Sequence, residues 1–279
     1  MRKPLGSKVV IRTLLSATSL LVLTVTAATI LVADGQKPGR AQGTLDLASR
    51  ELEALVEHIP QKFRATILSR RSEFLKRLEE VLDRPPELLV LVDKSHGLNP
   101  EYAPRDLVSL NDHQVNVSRG DLQVRTAILP DLLAMIESAR SEHIELPISS
   151  AFRAYEYQQE LYERNVAQLG REQADRESAR AGSSQHQLGT TLDFGSITDD
   201  FGRTDAGQWL LENSWRFGFS LSYPEDLEPV TGYRHEIWHY RYITPEASLF
   251  CREFFGSIQH YLLEFLDQYR GVLTAARSR

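Results

Sequence analysis

Two polar blocks far apart in this chain carry matched side chains, and a fold that brings them together builds one site. The first is Ser184-Gln-His-Gln-Leu-Gly-Thr-Thr-Leu-Asp193 and the second is Glu236-Ile-Trp-His239. The imidazoles of His186 and His239 with the carboxylate of Asp193 suffice to hold Zn²⁺ and leave one coordination position for water. Neutral imidazoles and an ionised carboxylate are good zinc ligands at neutral pH. Glu236 is the second carboxylate that such a water needs as proton acceptor. Any one of these histidines taken singly reads as an ordinary surface or core residue. Only the joint pattern with Asp193 and Glu236 points to a site, and the chemistry it points to is hydrolysis.

The spacing sets local expectations. His186 and Asp193 are seven apart on a loop-then-strand segment, where a turn at Gly189 lets both face one centre. Glu236 and His239 are three apart, on opposite sides of a flat strand but neighbours on a turn or helical step. The preceding Pro229-Val-Thr-Gly-Tyr-Arg-His235 is turn-like. Glu236 is therefore expected at a loop end and His239 at the start of a strand, with His235 pointing away. The plain alternative for Glu236 is an ion pair with Arg234 or Arg241.

The 279 residues suffice for one sizeable domain plus appendages. A net charge of -6 argues against nucleic acid as a partner, because phosphate binding needs a basic face. The single cysteine, Cys251, excludes an intrachain disulfide and a cysteine metal cluster. It lies in a helix-like run with Leu249, Phe250 and Phe254 and reads as a packed core residue.

Arg2, Lys3, Lys8 and Arg12 precede an uncharged stretch from Thr13 to Ala33. A basic start before an apolar run reads as an export signal or a membrane anchor, since about 20 residues span a bilayer. Val25-Thr-Ala27 is a loose match to a cleavage site, so cleavage and retention both stay open. The cationic flank stays in the cytoplasm on this reading, and everything after Asp34 is exported to the periplasm or cell envelope. No cysteine follows the apolar run, which argues against lipid modification.

Three regions are expected: 1–43 as signal or anchor with a polar linker, 44–84 as a helical stalk, and 85–272 as the catalytic domain. Leu45, Ala48, Leu52, Leu55, Val56 and Ile59 recur at helical spacing up to Pro60. Phe63, Ile67, Phe74, Leu78, Val81 and Leu82 form a second helical run ending at Pro85-Pro86. This pair of helices either stands as a stalk or packs on the main domain. Beyond it, strands are expected over 88–92, 144–149, 188–195, 219–223 and 238–243. Helices are expected over 127–143, 155–169, 208–217 and from Pro245 to near Tyr269. Elements interleaved without βαβ repeats favour an α+β fold with a small, mostly antiparallel sheet.

The two blocks resemble the Ser-x-His-x-x-Gly-x-x-x-Asp and Glu-x-x-His motifs of the zinc D-alanyl-D-alanine carboxypeptidases of the VanY type, in the LAS (M15) metallopeptidase superfamily. Ser149-Ser-Ala-Phe-Arg-Ala-Tyr-Glu-Tyr-Gln158 is similar to that family's Ser-Gly-Tyr-Arg-Ser segment and its following Gln. Further similar segments are Val92-Asp-Lys-Ser-His96, Pro104-Arg-Asp-Leu-Val108, Phe217-Gly-Phe219, Thr231-Gly-Tyr233 and Trp238-His-Tyr-Arg-Tyr242. The resemblance covers roughly Leu89 to Ile243.

It implies the LAS metallopeptidase fold, with zinc held by His186, Asp193 and His239 and Glu236 as base. It implies that Arg153 stabilises the oxyanion formed as water attacks the scissile carbonyl; the alternative is a surface ion pair with Glu156 or Glu160. Ser184 and Gln158 fall where the family contacts substrate or supports its site, with local hydrogen bonding as the alternative. Ala151, Phe152, Ala154 and Thr191 depart from the family's usual Gly, Tyr, Ser and Ala. These departures touch substrate preference rather than catalysis.

The implied activity is removal of C-terminal D-alanine from the stem peptide of peptidoglycan. An L,D-carboxypeptidase, a D,D-dipeptidase or an endopeptidase uses the same four residues. A non-catalytic wall-binding or signalling module is the alternative of another class and predicts a missing ligand or base; here all are present.

Overall fold

A four-stranded antiparallel sheet sets the two polar blocks side by side in the computed structural model, which describes residue 45 and residues 47–277. The strand order is β3 (Ile148–Ser150), β4 (Thr191–Phe194), β6 (His239–Tyr242) and β5 (Phe219–Leu221). On the central pair Asp193 lies opposite His239, Leu192 opposite Tyr240 and Thr191 opposite Arg241. Opposed residues share a face, and faces alternate along a strand. Asp193 and His239 therefore share one face. Leu192, Phe194, Tyr240 and Tyr242 take the other and bury against Leu132, Met135, Ile136 and Ala139 of α4 (Leu129–Ser141). The α+β class with a small antiparallel sheet agrees with the expectation.

A two-stranded hairpin, β1 (Leu107–Ser109) with β2 (Gln123–Arg125), was not expected. Three-residue strands are too short for an alternating pattern to register. The run 88–92 corrects a strand expectation. It forms a 3₁₀ turn, Pro86–Leu88, followed by a segment without regular structure, outside both sheets. Leu88 joins the core beneath the sheet while Leu89 and Leu91 join a separate helical core. The run is apolar because it bridges two cores, not because it pairs in a sheet. Buried Arg241 ties it down by donating from Nη2 to the Val90 carbonyl (2.6 Å).

The helical core joins α1 (Ser49–Leu55), α2 (Gln61–Ser69) and α3 (Arg71–Leu82) to α9 (Pro245–Phe254) and α10 (Gln259–Arg277). Stalk and packed helices were both open for residues 44–84; α1 to α3 are packed against the C-terminal helices. The helix expected over Phe63–Leu82 is two, broken at Arg70 (φ −117°, ψ 37°). The C-terminal helix is likewise two, because Gly256 and Ser257 both take positive φ (61° and 63°). Cys251 is free and buried here, as its setting in the sequence suggested, and burial pushes its thiol upward.

Phe74 is the hub, fully buried with its ring 5.0 Å from Phe250, 5.2 Å from Phe254 and 6.0 Å from Phe265. Phe74→Ala is expected to cost about 3–5 kcal/mol of stability, read from the urea midpoint. A loss below about 1 kcal/mol would show that these helices do not share a cooperative core with the rest.

The remaining described α-helices are α5 (Tyr155–Leu169), α6 (Arg171–Glu177), α7 (Asp205–Asn213) and the one-turn α8 (Glu228–Thr231). The segment expected to direct export, 1–43, lies outside the described residues. Among the described residues no helix is long and apolar enough to cross a membrane.

Candidate metal centre

Local backbone explains why each block presents its side chains to one point. His186 sits in a 3₁₀ turn, Gln185–Leu188, that ends at Gly189 in the left-handed region (φ 69°). A side chain there would press on Arg125, Leu107 and Pro104 at 3.0–3.2 Å, so only glycine turns the chain tightly enough to enter β4. In the second block the His239 amide donates to the Glu236 carbonyl (3.1 Å). That turn folds Glu-x-x-His so that both side chains lie on one side, as the loop-then-strand expectation required.

His186, Asp193 and His239 are all buried, and one candidate ligand atom from each lies within 4.8 Å of the others. His186 donates from Nδ1 to the Ala151 carbonyl (2.7 Å), which leaves the lone pair on Nε2. Nε2 lies 3.2 Å from Asp193 Oδ2. Two acceptors thus face each other in a buried space, a contact that is repulsive unless a cation lies between them. His186 Nε2 and Asp193 Oδ1 have no hydrogen-bond partner among the described residues.

His239 repeats the pattern with its nitrogens exchanged. Nε2 faces Gln185 Oε1 (3.4 Å), while Nδ1 lies 3.1 Å from Asp193 Oδ1 and 3.3 Å from Glu236 Oε2. Burial, with the Arg153 cation second, lowers the pKa of His186 to about 4 and keeps it neutral. Burial alone would raise the Asp193 carboxyl, but His186 and His239 outweigh it and hold it well below the usual carboxylate range. Burial would also lower His239, yet the adjacent Asp193 and Glu236 carboxylates prevail and raise it to about 9. Two carboxylates thus draw a positive charge to this point, as a proton or as a metal ion. A buried set of two imidazoles and a carboxylate with converging lone pairs fits a divalent metal ion.

Arg153 follows β3 and projects into the same space. It does not pair with Glu156 or Glu160. Nη1 donates to Gln158 Oε1 (2.7 Å), and Nη2 donates to Asp193 Oδ2 (3.2 Å) and Ser150 Oγ (3.3 Å). A guanidinium carries five N–H donors, so others are left for a ligand. Gln158 is buried on α5 and is itself held by donating to the Ala179 carbonyl (2.6 Å). Ser184 is buried at the wall. The seven residues singled out in the sequence all line one open cavity of about 200 Å³. Glu236 pairs with neither arginine of the alternative: Arg234 bonds Asp199, and Arg241 donates to the Val90 and Leu88 carbonyls.

Three supporting residues escaped the sequence reading. Gln185 Oε1 accepts from Ser222 Oγ (2.7 Å), and Gln259 Nε2 donates to Ser222 Oγ (2.9 Å) and the Ser220 carbonyl (3.0 Å). This buried chain runs from the first residue of α10 to the outer nitrogen of His239, which fixes the ring's orientation. Tyr223 packs on the same ring, centroids 4.8 Å apart. Within the Ser184 block Gln185 could have been suspected; Ser222 and Gln259 carry no local signal.

Residues 121–245 match the family described as VanY, D-alanyl-D-alanine carboxypeptidase. A D-alanyl-D-alanine carboxypeptidase of Enterococcus faecalis is 31% identical over 169 residues, 57% of this chain and 60% of that protein. The chain spans 57–64% of the length of three curated relatives that it matches. Among solved structures it is similar to the LD-carboxypeptidase LdcB, with a TM-score of 0.59 and 28% identity over 66% of this chain and 87% of that one. A vancomycin-resistance D,D-pentapeptidase VanY solved with Zn(II) has a TM-score of 0.53 and 28% identity, covering 64% of this chain and 99% of that one. VanYB in complex with D-alanine-D-alanine has a TM-score of 0.53 and 29% identity, covering 65% and 98%.

Proposed function

We propose a function from one premise: this chain belongs to the VanY family of the LAS (M15) metallopeptidase superfamily. It is a zinc-dependent carboxypeptidase that removes C-terminal D-alanine from peptidoglycan stem peptides. The observation that carries this reading is the convergence of acceptor atoms from His186, Asp193 and His239, with the Glu236 carboxylate 3.3 Å from His239 Nδ1. Zinc suits this donor set, and the similar VanY solved with Zn(II) supports the choice. The similarity to VanYB bound to D-alanine-D-alanine supports the substrate.

His186 through Nε2, Asp193 and His239 through Nδ1 would hold the metal. Bound zinc supplies Lewis-acid polarisation of the scissile carbonyl and a water acidic enough to be deprotonated near neutral pH. Glu236 accepts the proton from the attacking water and returns it to the leaving amine. Arg153 offers its remaining N–H groups to the negative charge that grows on the carbonyl oxygen. Gln158 and Ser150 hold the guanidinium so that little reorganisation is needed. Ser184 contributes wall contact to the peptide.

Arg153→Lys is expected to lower kcat/KM at least tenfold, because a point charge cannot keep the fork that bonds Gln158 and Asp193 while serving the substrate. Steady-state release of D-alanine measures it, and an unchanged rate places Arg153 outside the reaction.

Residues 85–272 form the peptidase domain on this reading. Segment 1–43 exports or anchors it outside the cytoplasmic membrane, where its substrate lies. Mass spectrometry of products from defined pentapeptide and tetrapeptide stems tests the proposal. Loss of one D-alanine from the pentapeptide supports it. Cleavage of the tetrapeptide alone transfers the site to L,D-carboxypeptidase action, and an inert wild-type protein removes the reading.

A further inference from the structure

We infer that the cleft continues past the metal centre into a carboxylate-binding subsite built on Lys94, which takes a free carboxylate carried by the stem peptide upstream of the scissile bond. The inference rests on the carboxypeptidase reading above. Ser178 and Tyr233 are walls of two cavities at once, that of the metal centre and a second of about 260 Å³. Lys94, Asp175, Arg180 and Ser183 complete the second.

A row of contacts joins the two. The Tyr223 ring lies 4.8 Å from that of His239, the Tyr233 ring 4.9 Å from Tyr223, and Lys94 Nζ 4.8 Å from the Tyr233 centroid. An extended peptide advances about 3.3–3.6 Å per residue. A stem held by its C-terminal residue at the metal centre therefore reaches Lys94 within about four residues.

Charge balance singles out Lys94. Arg180 donates to both oxygens of Asp175 (2.9 and 2.8 Å), and Tyr162 donates to the same carboxylate (2.6 Å). Nearby, Arg176 donates to both oxygens of Glu228 (2.5 and 2.7 Å). Each pair cancels its own charge. Lys94 belongs to none of the ion pairs of the described residues. Its ammonium rests over the face of Tyr233, which orients it without neutralising it. The turn that carries it is rigid, because Asp93 Oδ1 accepts from the Ser95 and His96 amides (2.7 and 2.8 Å). A cation in no ion pair, at a cavity lined also by Ser178 and Ser183, is the complement of a carboxylate.

The test uses full-length wild-type protein, Lys94→Ala and Lys94→Arg on three synthetic pentapeptide stems. One stem has all carboxylates free, one is amidated at its second residue and one at its third. Lys94→Ala should raise KM on the free stem about tenfold, the size of a lost charge-assisted contact, with the loss falling on KM rather than kcat. Lys94→Arg should restore most of it. One amidated stem should already be poor for the wild type and insensitive to Lys94→Ala, which identifies the carboxylate. D-alanine release with a KM indifferent to Lys94, or a loss that persists on both amidated stems, overturns the subsite alone. Absence of release by the wild type from every stem removes the carboxypeptidase reading and the subsite with it.

Discussion

Glu236→Gln is expected to lower kcat by roughly 10²–10⁴-fold, the contribution of a positioned general base, while one zinc per chain remains bound. The reason lies in where the carboxylate sits. It is nearly buried, 3.3 Å from His239 Nδ1, at the rim of the cluster rather than within it. The cluster of three converging donors is complete without it. Both arginines that could have claimed it are occupied elsewhere, Arg234 with Asp199 and Arg241 with backbone carbonyls. With neither arginine bonded to it, the carboxylate keeps its oxygens turned to the cavity that the substrate enters. The amide keeps the shape and removes the basicity. Metal analysis beside D-alanine release separates the roles: a zinc-free variant makes Glu236 a ligand, and an active one removes it from the chemistry.

His186→Ala is expected to empty the centre of zinc under conditions where the parent holds one ion per chain. Three protein ligands are the minimum for a catalytic zinc, so the loss of one leaves a two-point chelate. The variant also strands Asp193, whose Oδ2 lies 3.2 Å from the imidazole, and the Ala151 carbonyl, which accepts from it at 2.7 Å. The lost hydrogen bond alone costs about 1–3 kcal/mol and leaves the sheet standing, since the apolar face of β4 and β6 is untouched. Far-UV circular dichroism at parental intensity with absent metal is the expected pair of results. Full zinc occupancy in a folded variant contradicts the ligand assignment outright.

The centre was legible because metal chemistry admits few residue types, and two of its three local geometries are written in short spacings. The turn at Gly189 and the turn from Glu236 to His239 each close within four residues, so neighbours along the chain dictate them. The helices α4 and α5 were legible for the same reason, through a period of 3.6 that a short window can carry. The run at 88–92 misled because residues buried on both sides give one pattern whether they pair in a sheet or bridge two cores.

From the chain alone one could name the donors, the base and the arginine, because each is a matter of residue type and near-neighbour spacing. Only the tertiary structure decided that Asp193 and His239 stand opposite each other on adjacent strands, that Gln259 reaches His239 through Ser222 and Gln185, and that Lys94 lies along the cleft beyond Tyr233. Those contacts join residues 37 or more positions apart in the first network. No local periodicity encodes them, because strand pairing and core packing choose partners by surface burial across the whole fold.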